Sequence, residues 1–170
     1  MTKLLSLFII AIVFTSCNTS VESEKIAGKW LLDDSRFEKG YMAGDQKDYD
    51  LVKQFLDAYE NMDPQGMVDI SAETVKFHPA DAAGVFDVDM TNTDFIVERQ
   101  SNWDSISRNY IFIMPLKMEG SKNRVVTTAF TETRYVKDGT RETINFYERL
   151  YLNEQDQIMR VVQYSRPPNN

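Results

Sequence analysis

Glu148 interrupts an apolar row. Between Thr140 and Leu152 the alternating residues Ile144, Phe146, Glu148, Leu150 and Leu152 would share one face of a strand. A carboxyl on such a face is desolvated, its charged form is disfavoured and its pKa rises, which is how a carboxyl is tuned to exchange a proton near neutral pH. His78, the only histidine, precedes Pro79 and Asp81. An imidazole titrates near neutrality without help, so His78 reads either as a base or as a strand-end residue bonded to a carbonyl or to Asp81. Cys17 is the only cysteine, so neither an internal disulfide nor a Cys-based metal site can form, and one histidine rules out a multi-His zinc site. No metal and no cofactor are expected, and no phosphate loop or nucleophile elbow is present.

The faces around Glu148 follow from the turns. Asp138-Gly139 is a two-residue hairpin signal; it would pair Lys137 with Thr140 and Ala129 with Glu148. Leu152 opposite Ile158 would set Leu150 by Arg160 and Glu148 by Val162. Arg160 then lies diagonally from Glu148, within reach of a structural ion pair that would satisfy both groups. On this register Tyr164 shares the face of Phe146, and Arg134 falls on the opposite face, in solvent. Trp103 and Tyr110 flank the start of the sheet, where they would line a pocket mouth or pack in the core.

The elements that must hold these residues are helices first and strands after, an α+β order. Residues 26–46 leave their structure open; Gly28-Lys29-Trp30 has the Gly-x-Trp form that opens lipocalin-like barrels, but the strands counted are fewer than the eight such a barrel needs. Over Asp48 to Asn61, Leu51, Val52, Phe55, Leu56 and Tyr59 form one stripe opposite Asp50, Lys53, Asp57 and Glu60. Asp63-Pro64 starts a short helix, and Thr74 to His78 reads as a strand stopped by Pro79. A loop runs through Gly84. Thr93 is placed to cap a third helix containing Phe95, Ile96, Arg99, Trp103 and Ile106. Strands are expected at Tyr110 to Met118, Arg124 to Val136, Thr140 to Leu152 and Gln157 to Ser165.

Taken in order, Val52 to Tyr59, Asp63, Ala72 to Pro79, Phe146 to Leu152, Gln157-Ile158 and Gln163-Tyr164 resemble the nuclear transport factor 2-like superfamily (NTF2-like), in particular its SnoaL-like bacterial members. The resemblance implies a cone-shaped α+β barrel, with helices packed on a curved antiparallel sheet around a pocket (NTF2-like, cystatin-like). It also implies that His78 stands where ketosteroid isomerases of this fold carry their catalytic base. Glu148 stands where they carry the protonated aspartate that donates to the oxyanion. Phe55 replaces their oxyanion tyrosine and cannot donate a hydrogen bond. The implied pocket lining comprises Phe55, Tyr59, Trp103, Tyr110, Phe146, Arg160 and Tyr164. Many relatives pair through their sheets, which implies a homodimer.

The amino terminus supplies an address. Lys3 precedes an apolar run from Leu4 to Phe14, too short to remain as a spanning helix, and Phe14-Thr15-Ser16-Cys17 resembles a bacterial lipobox, with Phe14 where leucine is usual. The expected organisation is a signal peptide over 1–16, lipidation at Cys17, a tether over 17–25 and one domain over 26–168 with its core at 48–165. The expected location is the bacterial cell envelope, at the outer membrane, with the bilayer as a partner through acylated Cys17. Without Lys3, 18 Lys and Arg remain against 26 Asp and Glu, a net charge of −8, which argues against nucleic acid. Two functions fit: an anchored module that holds a small, largely apolar ligand or a protein partner, or a cofactor-independent lyase or isomerase using His78 and Glu148.

Overall fold

The computed structural model describes residues 25–122 and 124–167; the expected signal peptide, Cys17 and nearly all of the tether lie outside the described residues. The elements run β1 (Ile26–Lys29), β2 (Gly40–Ala43), α1 (Gln46–Glu60), α2 (Pro64–Asp69), β3 (Ser71–His78), β4 (Phe86–Asp89), α3 (Asp94–Gln100), β5 (Trp103–Met118), β6 (Arg124–Val136), β7 (Arg141–Leu152) and β8 (Ile158–Arg166). The architecture is the expected α+β one, with helices against a curved, largely antiparallel sheet.

Val52, Phe55, Leu56 and Tyr59 of α1 are buried in a core with Phe130, Phe146, Leu150 and Val161. Each such side chain contributes about 1.5–3 kcal/mol, which holds α1 on the sheet more firmly than helix propensity does. Asp63 caps α2 by accepting a hydrogen bond from the Gly66 amide at 3.0 Å, with Pro64 opening the helix. Thr93 holds the N-cap position of α3 but its side chain makes no cap bond; Asn92 Oδ1 accepts from the Asp94 amide instead. The helix ends at Gln100, so Trp103 and Ile106 belong to β5. Gln100 Nε2 donates to the Tyr59 carbonyl at 2.9 Å, closing the end of α3 onto α1.

Among the described residues the strands form one sheet in the order β1-β2-β5-β6-β7-β8-β3-β4. The described residues hold eight strands, so strand count does not separate this fold from an up-and-down barrel. Its order does, because β3 runs parallel to β8 and is not beside β2.

Two local features move the register by one residue each. Gly139 has φ +87°, its amide donates to the Val136 carbonyl, and the Val136 amide donates to Thr140. The turn thus has three residues with a left-handed glycine, not two, and Thr128 rather than Ala129 faces Glu148. Between Leu152, opposite Ile158, and Tyr151, opposite Arg160, an irregularity places Met159 as an extra residue. Glu148 therefore faces Gln163, not Val162. A one-residue slip exchanges the faces of every residue beyond it.

Candidate ligand cavity and its buried charges

Between the sheet and the helices a cavity of about 70 Å³ is lined by apolar side chains from several elements: Phe55, Leu56 and Tyr59 from α1, Met67 from α2, Val75 and Phe77 from β3, Val88 from β4, and Ile96 from α3. Four polar side chains complete the wall, namely Arg99, Arg108, Glu148 and Gln163.

Glu148 is 2% exposed. Gln163 Nε2 donates to its Oε1 at 2.6 Å, while Gln163 Oε1 is buried with no protein partner among the described residues. Burial raises the Glu148 pKa above the usual carboxylate range, although Arg108 and the Gln163 hydrogen bond pull the other way.

Behind Glu148 lies a chain of charges that the sequence reading did not assemble. Arg108 Nε donates to Glu132 Oε2 at 2.7 Å and its Nη1 donates to the Leu56 carbonyl at 3.2 Å. The guanidinium is 4.7 Å from the Tyr59 ring centroid and 4.5 Å from that of Phe130. On the far side of Glu132, Arg134 Nε donates to Oε1 at 2.6 Å, and Arg134 stacks 4.3 Å over Trp103. Glu132, 1% exposed, is thus satisfied by two arginines. Burial opposes the charge on Arg108, but Glu132 and Glu148 outweigh it and its pKa rises. Tyr59 is pushed up to about 12 by burial and by the negative charge of Glu132.

Of the residues singled out in the sequence, Phe55, Tyr59 and Glu148 meet at the cavity. His78 does not. Val75 and Phe77 line the wall, and His78, one residue further along β3, is on the other side of the strand. Burial and the positive charges of Arg160 and Lys76 lower its pKa. Asp81 is no partner of His78; it pairs with Arg99 at 3.6 Å. Arg160 is off the cavity as well, because the Met159 bulge turns it outward, 5.2 Å from the Tyr151 ring centroid. The same bulge puts Tyr164 beside exposed Tyr147, with ring centroids 6.3 Å apart. The three-residue turn carries Arg134 into the interior, where solvent was expected. Phe146 packs on Phe130, and partly buried Tyr110 also packs on Phe130; neither lines the cavity. Trp103 stands edge-on to Tyr59 and lines an outer cleft with Asp81, Asn102 and Arg134. Phe95 and Arg99 wall both this cleft and the cavity.

No protein-family model matches the chain, and no curated protein matches it by sequence. Solved structures do resemble it. A putative aromatic ring hydroxylase from Novosphingobium aromaticivorans aligns at TM-score 0.59 with 15% identity, covering 74% of this chain and 93% of the other. A putative SnoaL-like polyketide cyclase from Shewanella denitrificans aligns at 0.55 with 9% identity, covering 72% and 92%. An NTF2-like protein of unknown function from an Exiguobacterium species aligns at 0.55 with 11% identity, covering 68% and 98%. At these identities the likeness is one of fold, and the fold is NTF2-like.

Proposed function

We propose that this chain is an exported, lipid-anchored NTF2-like domain that binds a small, largely apolar ligand in its cavity. The observation that carries the proposal is the Glu148–Gln163 pair on a mostly apolar wall, which leaves one buried acceptor, Gln163 Oε1, unused. A ligand with one hydroxyl or N–H on an apolar body would complete it, since an unpaired buried acceptor is costly. An apolar cavity of about 150 Å³ admits benzene, so the present 70 Å³ accepts a ring only when side chains move. Met67 and Met90 on the wall are the unbranched, adaptable kind that can do so.

The SnoaL-like cyclase likeness supports a proton-transfer reading through Glu148, which lines the cavity with a raised pKa. That reading has lost its base, because His78 faces away. Binding is accordingly preferred.

Native mass spectrometry of the protein purified from its own host should show a retained small molecule, and Gln163→Leu should shed it. A wild-type protein that is empty and binds no member of a panel of small aromatic alcohols would sink the proposal. For the anchor, Cys17→Ala should move the protein from the membrane fraction to the soluble one; unchanged partitioning refutes it. The outer sheet face carries a row of partly exposed rings, Phe112, Tyr147 and Tyr164, and is proposed as the surface on which two copies pair.

A further inference from the structure

The loop joining β1 to β2 is built inside out. Asp34 accepts from Trp30 Nε1 at 3.2 Å and from Arg36 Nη2 at 2.6 Å, and the Arg36 guanidinium lies 4.0 Å over the Trp30 ring. Backbone bonds from Trp30 to Lys39 and from Glu38 to Trp30 close the loop at its base. The polar groups satisfy one another, and the apolar side chains point outward: Leu31 is 76% exposed, Leu32 63% and Phe37 52%. An ordered loop that spends its polar groups on itself and presents three large apolar side chains to solvent calls for an apolar partner.

Its place in the chain identifies the partner. β1 is an edge strand and starts at Ile26, nine residues after Cys17. Nine extended residues reach about 30 Å at most, so an acyl chain on Cys17 keeps this loop within a tether's length of the bilayer. Charge agrees with an apolar mode of contact. Lys25, Lys29, Arg36 and Lys39 nearly balance Asp33, Asp34 and Glu38, in a chain whose net charge is −7. The loop is therefore neither repelled from a lipid surface nor drawn to it by charge.

We infer that Leu31, Leu32 and Phe37 form a membrane-seating tip that enters the interfacial layer of the bilayer holding Cys17, fixing the orientation of the domain on it. The inference rests on the anchor proposed above, and its test separates the two. With Cys17 acylated, the described domain has no cysteine, so Leu32→Cys gives one thiol for an environment-sensitive dye. The acylated protein is reconstituted in phosphatidylcholine vesicles, with a dye at Val97→Cys, exposed on α3, as the reference. The dye at position 32 should shift to the blue on vesicles and the dye at 97 should not. Added salt should leave the shift unchanged, and Leu31→Asp should abolish it. Circular dichroism checks that each variant is folded.

Acylated protein whose dye at 32 keeps its aqueous spectrum on vesicles overturns the tip and leaves the anchor standing. A shift that needs no lipid and grows with protein concentration assigns the tip to a second copy and also overturns it. The mass of the N-terminal peptide reports acylation independently. If that mass shows no acyl chain, the anchor falls; Cys17→Ala then leaves position 32 as the one thiol, and a dye there that still shifts on added vesicles supports the tip.

Discussion

Replacing Glu132 by glutamine is the sharpest test of the buried charge row. Glu132 holds two guanidinium groups at once, Arg108 at 2.7 Å and Arg134 at 2.6 Å, and neither can lose its proton. Arg108 has a side chain 3% exposed, so its charge has no route to solvent. Taking one member from a buried ion pair costs about 3–5 kcal/mol, mainly because the other charge is left uncompensated. Arg108 keeps the Leu56 carbonyl and the field of Glu148, which argues for the lower half of that range. Domains of this size have about 5–15 kcal/mol in all, so Glu132→Gln should remain folded with a clearly reduced urea midpoint and an unchanged slope. Arg134→Met should cost less, about 1–2 kcal/mol, because its side chain lies nearer the surface. The cycle with Arg108→Met should show strong coupling, the double variant being more stable than the sum of the single losses implies. A Glu132→Gln loss under about 1 kcal/mol, or additive behaviour in the cycle, would refute the view that Glu132 neutralises buried arginines.

The other expectations are simpler. Glu148 has a folded-state pKa raised by burial, so its contribution to stability is fully present below the unfolded carboxylate value of about 4.3 and is lost as pH rises through the folded pKa. Glu148→Gln should therefore gain on the wild type as pH rises through that window, and parallel curves in denaturant melts across pH would contradict the burial argument. Gly139→Ala puts a side chain at φ +87° and should cost about 1–2 kcal/mol; calorimetry showing no change in Tm would mean that the turn has another conformation. Tyr147→Lys should leave the thermal midpoint of the monomer nearly unchanged and abolish dimers in sedimentation equilibrium. A persistent dimer would move the interface elsewhere.

Periodicity located the framework, because the α1 stripe and the long β5–β8 strands bury one face each and their side chains must alternate accordingly. It also placed Glu148 in an apolar setting, which burial alone decides. It could not place what faces Glu148. Both turns were found, but the residues that set register were not legible: the left-handed state of Gly139 adds a third residue to one turn, and Met159 bulges just after the other. Each slip is a single residue, yet together they put Gln163 where Val162 was expected, removed Arg160 and Tyr164 from the interior, and brought Arg134 in. The Glu132 site had a signal that was passed over, since Phe130, Glu132 and Arg134 alternate on one strand face and a large ring marks that face as buried. Arg108 had none, because its role depends on β5 starting at Trp103, where the apolar spacing of Phe95, Ile96, Trp103 and Ile106 reads as a continued helix. His78 failed for parity: Phe77 beside it takes the inward position.

The sheet ends in two strands of four residues, β1 at one edge and β4 at the other. An open sheet edge is a template for uncontrolled strand addition, and here each template is short and marred. The pairing of β1 is irregular between Ile26 and Gly28, and β4 carries Asp87 and Asp89, like charges two residues apart. Edge-to-edge polymerisation, the common hazard of an open sheet, is therefore disfavoured at both ends.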